Sequence, residues 1–158
     1  MIKLSQEHLQ IICAHAESTY PEECCGIMFG YLALEVKTVV EVMPTDNAWS
    51  AETAIDFSGD VETNHDASLY SKRRRYAIAP SVMLQAQRKA RDRHLNIIGI
   101  YHSHPDYPNI PSEFDRLYAW QEYSYVIISV QNGKSADAKS WSLDDNHQFQ
   151  PEVIQKCS

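Results

Sequence analysis

Apolar residues recur at the three- to four-residue spacing of an α-helix in separate parts of the chain. The clearest such segment is residues 5–20, where Ser5 can cap the first turn and Pro21 ends the pattern. Its apolar stripe consists of Leu9, Ile12, Cys13, Ala16 and Tyr20. A second helix, rich in good helix formers, is predicted over residues 80–95, and a short third one over residues 112–122.

Other segments carry the alternating or continuous apolar runs that are typical of β-strands. Predicted strands cover residues 24–32, 35–43, 75–80 and 96–104, and a last short element lies around residues 151–155. Residues 123–143 predict a hairpin, because Asn132-Gly133 is a turn signal between two strand patterns. The order of these elements predicts an α/β fold with a mixed β-sheet flanked by helices.

The least regular part of the chain is residues 44–75, where apolar residues follow neither the helical spacing nor the alternation of a strand. We predict a long loop there, with room for one short element. Loops of this length inside a domain are uncommon and often functional. Near its end, the basic run at residues 72–75 is typical of a solvated turn, although it could also attract an acidic protein.

Length and charge narrow the possible function classes. The 158 residues predict a single domain, residues 1–158, with a sizeable core. No apolar run approaches the roughly 18 residues of a membrane span, and the polar N-terminus does not resemble a secretion signal. We therefore expect a soluble, cytoplasmic protein with no membrane partner. The net charge of −7 argues against nucleic-acid binding.

Two histidines at the end of the predicted central strand are the strongest chemical signal. Because side chains alternate along a strand, His102 and His104 share one face with Cα atoms roughly 6–7 Å apart, while Ser103 points the other way. This spacing lets both imidazoles reach one metal ion. A bare His-x-His pair, however, is more often two unrelated surface histidines.

The residues that follow strengthen the metal interpretation. Three prolines make a stiff turn, after which Ser112 stands at the predicted start of a helix and Asp115 lies three residues later. Ser-x-x-Asp resembles a capping box, and this explanation is sufficient by itself. The two interpretations are compatible, because Asp115 in the first turn would face the strand end. Two imidazoles and one carboxylate would then form a catalytic zinc site.

A hydrolytic zinc site also needs a general base, and the candidates are Glu22 and Glu23. Both follow a helix stop and precede an apolar strand, which is an unusual place for a pair of carboxylates. Solvated loop acids are the simplest explanation, and we keep it for Glu22. Glu23, at the entrance of the strand, could reach the water that attacks the substrate.

Taken together, these residues resemble the JAMM (MPN+) metalloprotease family. The family signature is an upstream Glu, then His-Ser/Thr-His-Pro, then Ser-x-x-Asp, which here corresponds to Glu23 and the segment HSHPDYPNIPSEFD, residues 102–115. The resemblance extends over residues 3–153 and is strongest to small, single-domain prokaryotic members. No position of the signature departs from the family pattern.

The resemblance implies a zinc hydrolase with a deaminase-like α/β/α fold. It implies that His102, His104 and Asp115 bind Zn²⁺, that Glu23 is the general base and later the general acid, and that Ser112 helps to hold the oxyanion. The implied partner is a ubiquitin-like or sulfur-carrier protein, cleaved after its C-terminal Gly-Gly tail. The irregular segment, residues 44–75, is our candidate for one wall of the groove that receives this tail.

Other functions agree less well with these residues. A thiol hydrolase could use Cys25, but adjacent Cys24 and Cys25 at a strand start are typical of small core residues. With Cys13 and Cys157 they form no zinc-ribbon or redox pattern, so we expect reduced thiols. A zinc nucleoside deaminase would need His-x-Glu and Pro-Cys-x-x-Cys, which are absent from the sequence. The main alternative is a non-catalytic module of the same fold that binds a carrier protein.

Overall fold

The computed structural model describes residues 1–50 and 71–157. Within these ranges the chain forms eight strands and three helices, which agrees with the predicted α/β class. The elements are β1 (Ile2–Ser5), α1 (Gln6–Thr19), β2 (Cys25–Ala33), β3 (Val36–Thr45), α2 (Pro80–Asp92), β4 (Asn96–Pro105), α3 (Glu113–Leu117), β5 (Ser124–Gln131), β6 (Lys134–Leu143), β7 (Phe149–Glu152) and β8 (Ile154–Cys157).

The described strands form one mixed sheet in the order β7-β6-β5-β4-β2-β3-β1-β8. Strand β4 lies in its interior, antiparallel to β2 and parallel to β5. The C-terminal segment supplies both edge strands of the sheet. Strand β7 pairs with β6, β8 pairs with β1, and only Val153 separates β7 from β8. The residues at the end of β4 are therefore held by hydrogen-bonded neighbours on both sides.

Helices cover both faces of the sheet, as the apolar pattern predicts. On one face, Ile12 and Ala16 of α1 pack into a cluster that contains Met28 of β2. On the other face, Ala86 and Ala90 of α2 pack with the neighbouring β2 residues Ile27 and Phe29. Successive β2 side chains thus contribute to opposite layers of the core.

The first helix and the hairpin follow the sequence prediction closely. Ser5 caps α1, since its hydroxyl accepts a hydrogen bond from the backbone N–H of His8 at 3.0 Å. The turn between β5 and β6 is Asn132-Gly133, with φ angles of 50° and 83°. Positive φ at both positions is the geometry that an Asn-Gly hairpin turn favours.

The predicted strand at residues 75–80 is wrong. The structure has no strand there, and α2 begins at Pro80. The segment receives one backbone hydrogen bond, from Ala48 N–H to the Ala77 carbonyl at 2.8 Å. The Asn47 side chain makes two more, since it donates to the Arg75 carbonyl and accepts from Ala77 N–H. Hydrogen bonds from the Asn47 side chain thus replace the strand-to-strand backbone bonds of a sheet, so residues 75–80 are not part of it.

Three further elements differ in extent from the prediction. Strand β1 was not anticipated, because four residues are too few to show a period. Helix α3 ends at Leu117, so the predicted helix over residues 112–122 is too long. The closing element around residues 151–155 consists of two strands instead of one.

The predicted loop at residues 44–75 lies mostly outside the described residues, which resume at Ser71. Our expectation that it forms one wall of a substrate groove therefore stays a prediction. No helix in residues 1–50 or 71–157 has both the length and the apolar character needed to cross a membrane.

Candidate active site

Strand β4 brings the two histidines of the sequence motif together. His102 and His104 point to the same face, both are fully buried, and their Nε2 atoms lie 3.1 Å apart. His102 is paired with Cys25 of β2 and Ile127 of β5, and the pairing with β5 continues past His104 to Pro105. The pair is therefore fixed by the sheet and is not a chance meeting of surface residues.

The carboxylate of Asp115 completes the group from the first turn of α3. Its Oδ2 lies 3.3 Å from Nε2 of His102 and 3.2 Å from Nε2 of His104. The predicted capping box is present as well: Ser112 N–H donates to Oδ2 of Asp115 at 2.8 Å, and Asp115 N–H donates to the Ser112 hydroxyl at 3.1 Å. The cap thus fixes the orientation of the carboxylate toward the histidines.

Three candidate ligand atoms have the spacing that a tetrahedral zinc ion requires. Separations of 3.1, 3.2 and 3.3 Å connect Nε2 of His102, Nε2 of His104 and Oδ2 of Asp115. Zinc bonds of about 2.0–2.1 Å place tetrahedral ligand atoms about 3.3 Å apart, which closely matches this triangle. Three protein ligands leave one position free, which is the arrangement of catalytic zinc sites.

Hydrogen bonding prepares His104 to bind a metal through Nε2. Its Nδ1 lies 2.7 Å from the carbonyl of Pro108, so Nδ1 carries the proton and donates it, leaving the lone pair on Nε2. Burial lowers the pKa of His104 and so favours the neutral imidazole that a metal requires. The ring of His102 stacks on Tyr76, with ring centres 4.5 Å apart.

Opposing effects act on the pKa of the buried Asp115 carboxyl group. Burial alone would raise its pKa, but the adjacent imidazoles of His102 and His104 hold the pKa well below its usual range. The site therefore offers one carboxylate and two imidazoles, a donor set that suits zinc.

Glu23 lies beside the same group, directly before β2. Its side chain is 1% exposed, and Glu23, His102 and His104 each provide one ligand atom within 4.8 Å of the others. Asp115 is the better third ligand, because its Oδ2 is within 3.3 Å of both imidazoles. Burial, followed by the charge of Asp115, raises the pKa of Glu23 well above its usual value, which makes its carboxylate a stronger base.

The two oxygens of Glu23 have different surroundings. Oε2 accepts a hydrogen bond from the Tyr107 hydroxyl at 2.7 Å. Oε1 is buried and has no hydrogen-bond partner among the residues that the structure describes. An unpartnered carboxylate oxygen next to this candidate metal site can accept a proton from water. Its neighbour Glu22 is exposed, as expected of a solvated loop acid.

All five residues singled out in the sequence thus meet in one place, but Ser112 shows only its capping role. Its hydroxyl accepts from Asp115 N–H, and the described contacts give that hydroxyl no other partner. A serine hydroxyl can accept and donate at once, so capping leaves its proton free for another acceptor.

Sequence reasoning missed several residues that shape the site. Tyr107 contacts both Glu23 and His104, Tyr76 stacks on His102, and the Asn47 amide donates to the Glu23 carbonyl at 3.0 Å. Tyr107 lies inside the quoted motif, but nothing in the sequence alone indicates which way an aromatic ring in a proline-rich turn points.

The basic segment that precedes α2 lies at the edge of this site. The Arg74 guanidinium lies over the Tyr107 ring at 4.8 Å, and that of Arg75 over the Phe114 ring at 4.5 Å. These cations are therefore packed against aromatic rings near the metal ligands, and are not only solvated turn residues.

Comparisons with known proteins agree with this geometry. Residues 5–144 match the family described as prokaryotic homologs of the JAB domain. The chain belongs to this family. It is 29% identical to a desampylase of Haloferax volcanii over 126 aligned residues. The alignment covers 79% of this chain and 73% of the desampylase.

Solved structures share the fold over nearly the whole chain. A protein of Desulfitobacterium hafniense is 26% identical, with a TM-score of 0.74 over 99% of this chain and 93% of that protein. A JAB1/MPN domain protein of Archaeoglobus fulgidus, 15% identical, has a TM-score of 0.53 over 100% of this chain and 98% of its own. The second similarity concerns the fold alone. It agrees with the predicted α/β architecture of a JAB domain.

Proposed function

We propose that this protein is a zinc-dependent peptidase or isopeptidase. In this proposal it hydrolyses the bond after the C-terminal Gly-Gly tail of a ubiquitin-like or sulfur-carrier protein. The observation that carries the proposal is the triangle of His102, His104 and Asp115, with separations of 3.1–3.3 Å, next to a buried carboxylate of raised pKa. A module that only binds a carrier has no use for that carboxylate.

The chain's own residues have separate roles in the reaction. Zinc, when bound, would supply Lewis acidity, which acidifies water and polarises a carbonyl. His102, His104 and Asp115 would hold the ion, and the backbone bonds at Ser112 and Pro108 keep two of these ligands oriented. Oε1 of Glu23 would take the proton of the attacking water and later give it to the leaving amine.

Ser112 is proposed as a second source of transition-state stabilisation. Its hydroxyl proton has no acceptor among the described contacts, although its oxygen caps α3. Donation to the oxygen on which negative charge develops would lower the barrier, because such donors act most strongly on charge that appears in the transition state.

The recessed position of the site supports a tail without side chains as the substrate. Glu23, His102 and His104 are each at most 1% exposed, so a scissile bond must be placed among buried groups. Two consecutive glycines make the slimmest possible chain there. The similarity to a desampylase supports a ubiquitin-like protein as the body of the substrate.

Cleavage of carriers with short C-terminal extensions tests this function. Ubiquitin-like and sulfur-carrier proteins, each ending in Gly-Gly plus a peptide, would be incubated with zinc-loaded protein and weighed by intact mass spectrometry. We expect at least one carrier to lose the whole extension, and a matched carrier ending in Ala-Ala to stay intact. Chelation should stop cleavage, and added zinc should restore it.

The same samples distinguish the non-catalytic alternative. A carrier-binding module would retain the carrier in a pull-down and leave its mass unchanged in the presence of zinc. That outcome across all carriers would contradict the proposed hydrolase.

A further inference from the structure

One side chain, Tyr107, contacts both halves of the proposed catalytic centre. Its ring stacks on the His104 ring, with centres 4.1 Å apart and planes inclined by 15°. Its hydroxyl donates to Oε2 of Glu23 at 2.7 Å. Glu23 and His104 come from segments that are far apart in the sequence, and Tyr107 bridges them within the folded site.

The loop that carries Tyr107 is itself fixed. The Tyr107 carbonyl accepts a hydrogen bond from the Ser129 hydroxyl at 2.8 Å, and the preceding residue, Asp106, donates its N–H to the Val130 carbonyl at 2.7 Å. The Asp106 carboxylate accepts from Tyr20 and from the Asn132 N–H. These bonds anchor the loop to β5, to the hairpin turn and to the end of α1, so the Tyr107 ring has a rigid support.

We propose that Tyr107 is a positioning residue for the general base. Its hydroxyl holds Oε2 of Glu23, so the carboxylate stays in one rotamer with Oε1 facing the attacking water. A glutamate side chain is flexible, and the hydrogen bond from Tyr107 restricts it to one position. The inference rests on the proposed function, since it assigns a role within that reaction.

The geometry separates two contributions of the same side chain. The hydroxyl acts on Glu23, whereas the ring packs on a proposed metal ligand. Tyr107→Phe removes only the first contribution, and Tyr107→Leu removes both. If Tyr107 had only a structural role, Tyr107→Phe would not lower kcat while leaving zinc binding unchanged.

Kinetics of the Phe variant provide the first test. In zinc-loaded Tyr107→Phe, we expect kcat to fall about 10- to 100-fold, because small displacements of a catalytic group have effects of this size. KM and zinc content should stay at the wild-type values. Tyr107→Leu should in addition bind zinc more weakly. Tyr31→Phe is the matched control, because Tyr31 is 51% exposed on β2, and it should behave as the wild type.

A second measurement does not depend on activity. A double-mutant cycle of Tyr107→Phe and Glu23→Met would be measured by denaturant unfolding, since methionine has the size of glutamate but cannot accept this bond. We expect the double variant to lose clearly less stability than the two single variants combined. Strict additivity would overturn the inference.

The two tests also separate this inference from the proposed function. A wild type that cleaves carriers while Tyr107→Phe keeps full kcat would overturn the role of Tyr107 alone. If the wild type cleaves no carrier, the proposed function is wrong. The role of Tyr107 is then wrong as well, because there is no general base for it to position. Reduced kcat together with a non-additive cycle would support both.

Discussion

Ser103 and Cys24 exchange two hydrogen bonds on the side of the sheet opposite to the two histidines. The Cys24 N–H donates to the Ser103 hydroxyl at 2.8 Å, and the Ser103 N–H donates to the Cys24 carbonyl at 3.2 Å. Ser103 separates the two histidines, and Cys24 directly follows Glu23. The residue between the proposed ligands therefore ties their strand to the segment that carries the proposed base.

Removing the Ser103 hydroxyl should destabilise the protein. In Ser103→Ala, the Cys24 N–H stays buried and loses its acceptor, which typically costs about 1–3 kcal/mol. Urea unfolding would measure this loss. Ser18→Ala is a suitable control, because Ser18 is exposed on α1 and its replacement should change stability by no more than about 0.5 kcal/mol. Equal stability of the two variants would show that the bond at Cys24 contributes little.

Zinc binding should depend on His104. In His104→Ala, the remaining pair of His102 and Asp115 offers too few ligands, so we expect one zinc per chain in the wild type and almost none in the variant. Elemental analysis of purified protein measures both. His8→Ala, which alters a histidine on α1 outside the site, should retain full zinc content. Full occupancy of His104→Ala would mean that the metal binds elsewhere.

Ser112 combines a structural and a proposed catalytic role, and two variants separate them. Ser112→Ala should lose about 1 kcal/mol of stability as a cap, and kcat should fall about 10²- to 10³-fold if the hydroxyl also stabilises the oxyanion. Ser112→Asp should fold normally, since Asp is a good cap, but it should be nearly inactive because its carboxylate repels negative charge. Melting temperature, zinc content and kcat would be measured on each. A stable, zinc-loaded and active Ser112→Asp would leave Ser112 with the capping role alone.

The thiols at the start of β2 should be inert. Burial raises the pKa of Cys24 and that of Cys25 to about 12, so at pH 8 both stay protonated, and only the thiolate reacts. Iodoacetamide should therefore label neither residue in the folded protein, whereas the partly exposed Cys13 and Cys157 should react first. Peptide mapping locates the label. Rapid loss of activity with label on Cys25 would favour the thiol hydrolase that we set aside.

Much of the site follows from local rules that a sequence displays. Alternation along a strand places His102 and His104 on one face, and an N-cap signal places Asp115 in the first turn of α3. Each rule relates residues close together in the chain. The choice of Glu23 over Glu22 came from its place at the entrance of a strand and agreed with the family resemblance, and the structure shows Glu23 buried and Glu22 exposed.

What the sequence did not indicate depends on contacts between distant segments. The hydroxyl of Tyr107 reaches a carboxylate 84 positions away, and no periodicity encodes such a meeting. The wrong strand at residues 75–80 has a similar origin. Its apolar run, Tyr76 to Ala79, is typical of a strand, but Asn47 occupies the hydrogen-bonding groups of Arg75 and Ala77 that a neighbouring strand would need.

The central claim is that Glu23, next to zinc held by His102, His104 and Asp115, is the base of a hydrolase. The most direct test measures zinc content and cleavage of a Gly-Gly carrier extension on the same samples of wild type, Glu23→Gln and Glu22→Gln. We predict full zinc in all three, a rate about 10²- to 10⁴-fold lower in Glu23→Gln, and a nearly normal rate in Glu22→Gln. Normal turnover by zinc-loaded Glu23→Gln would contradict the account.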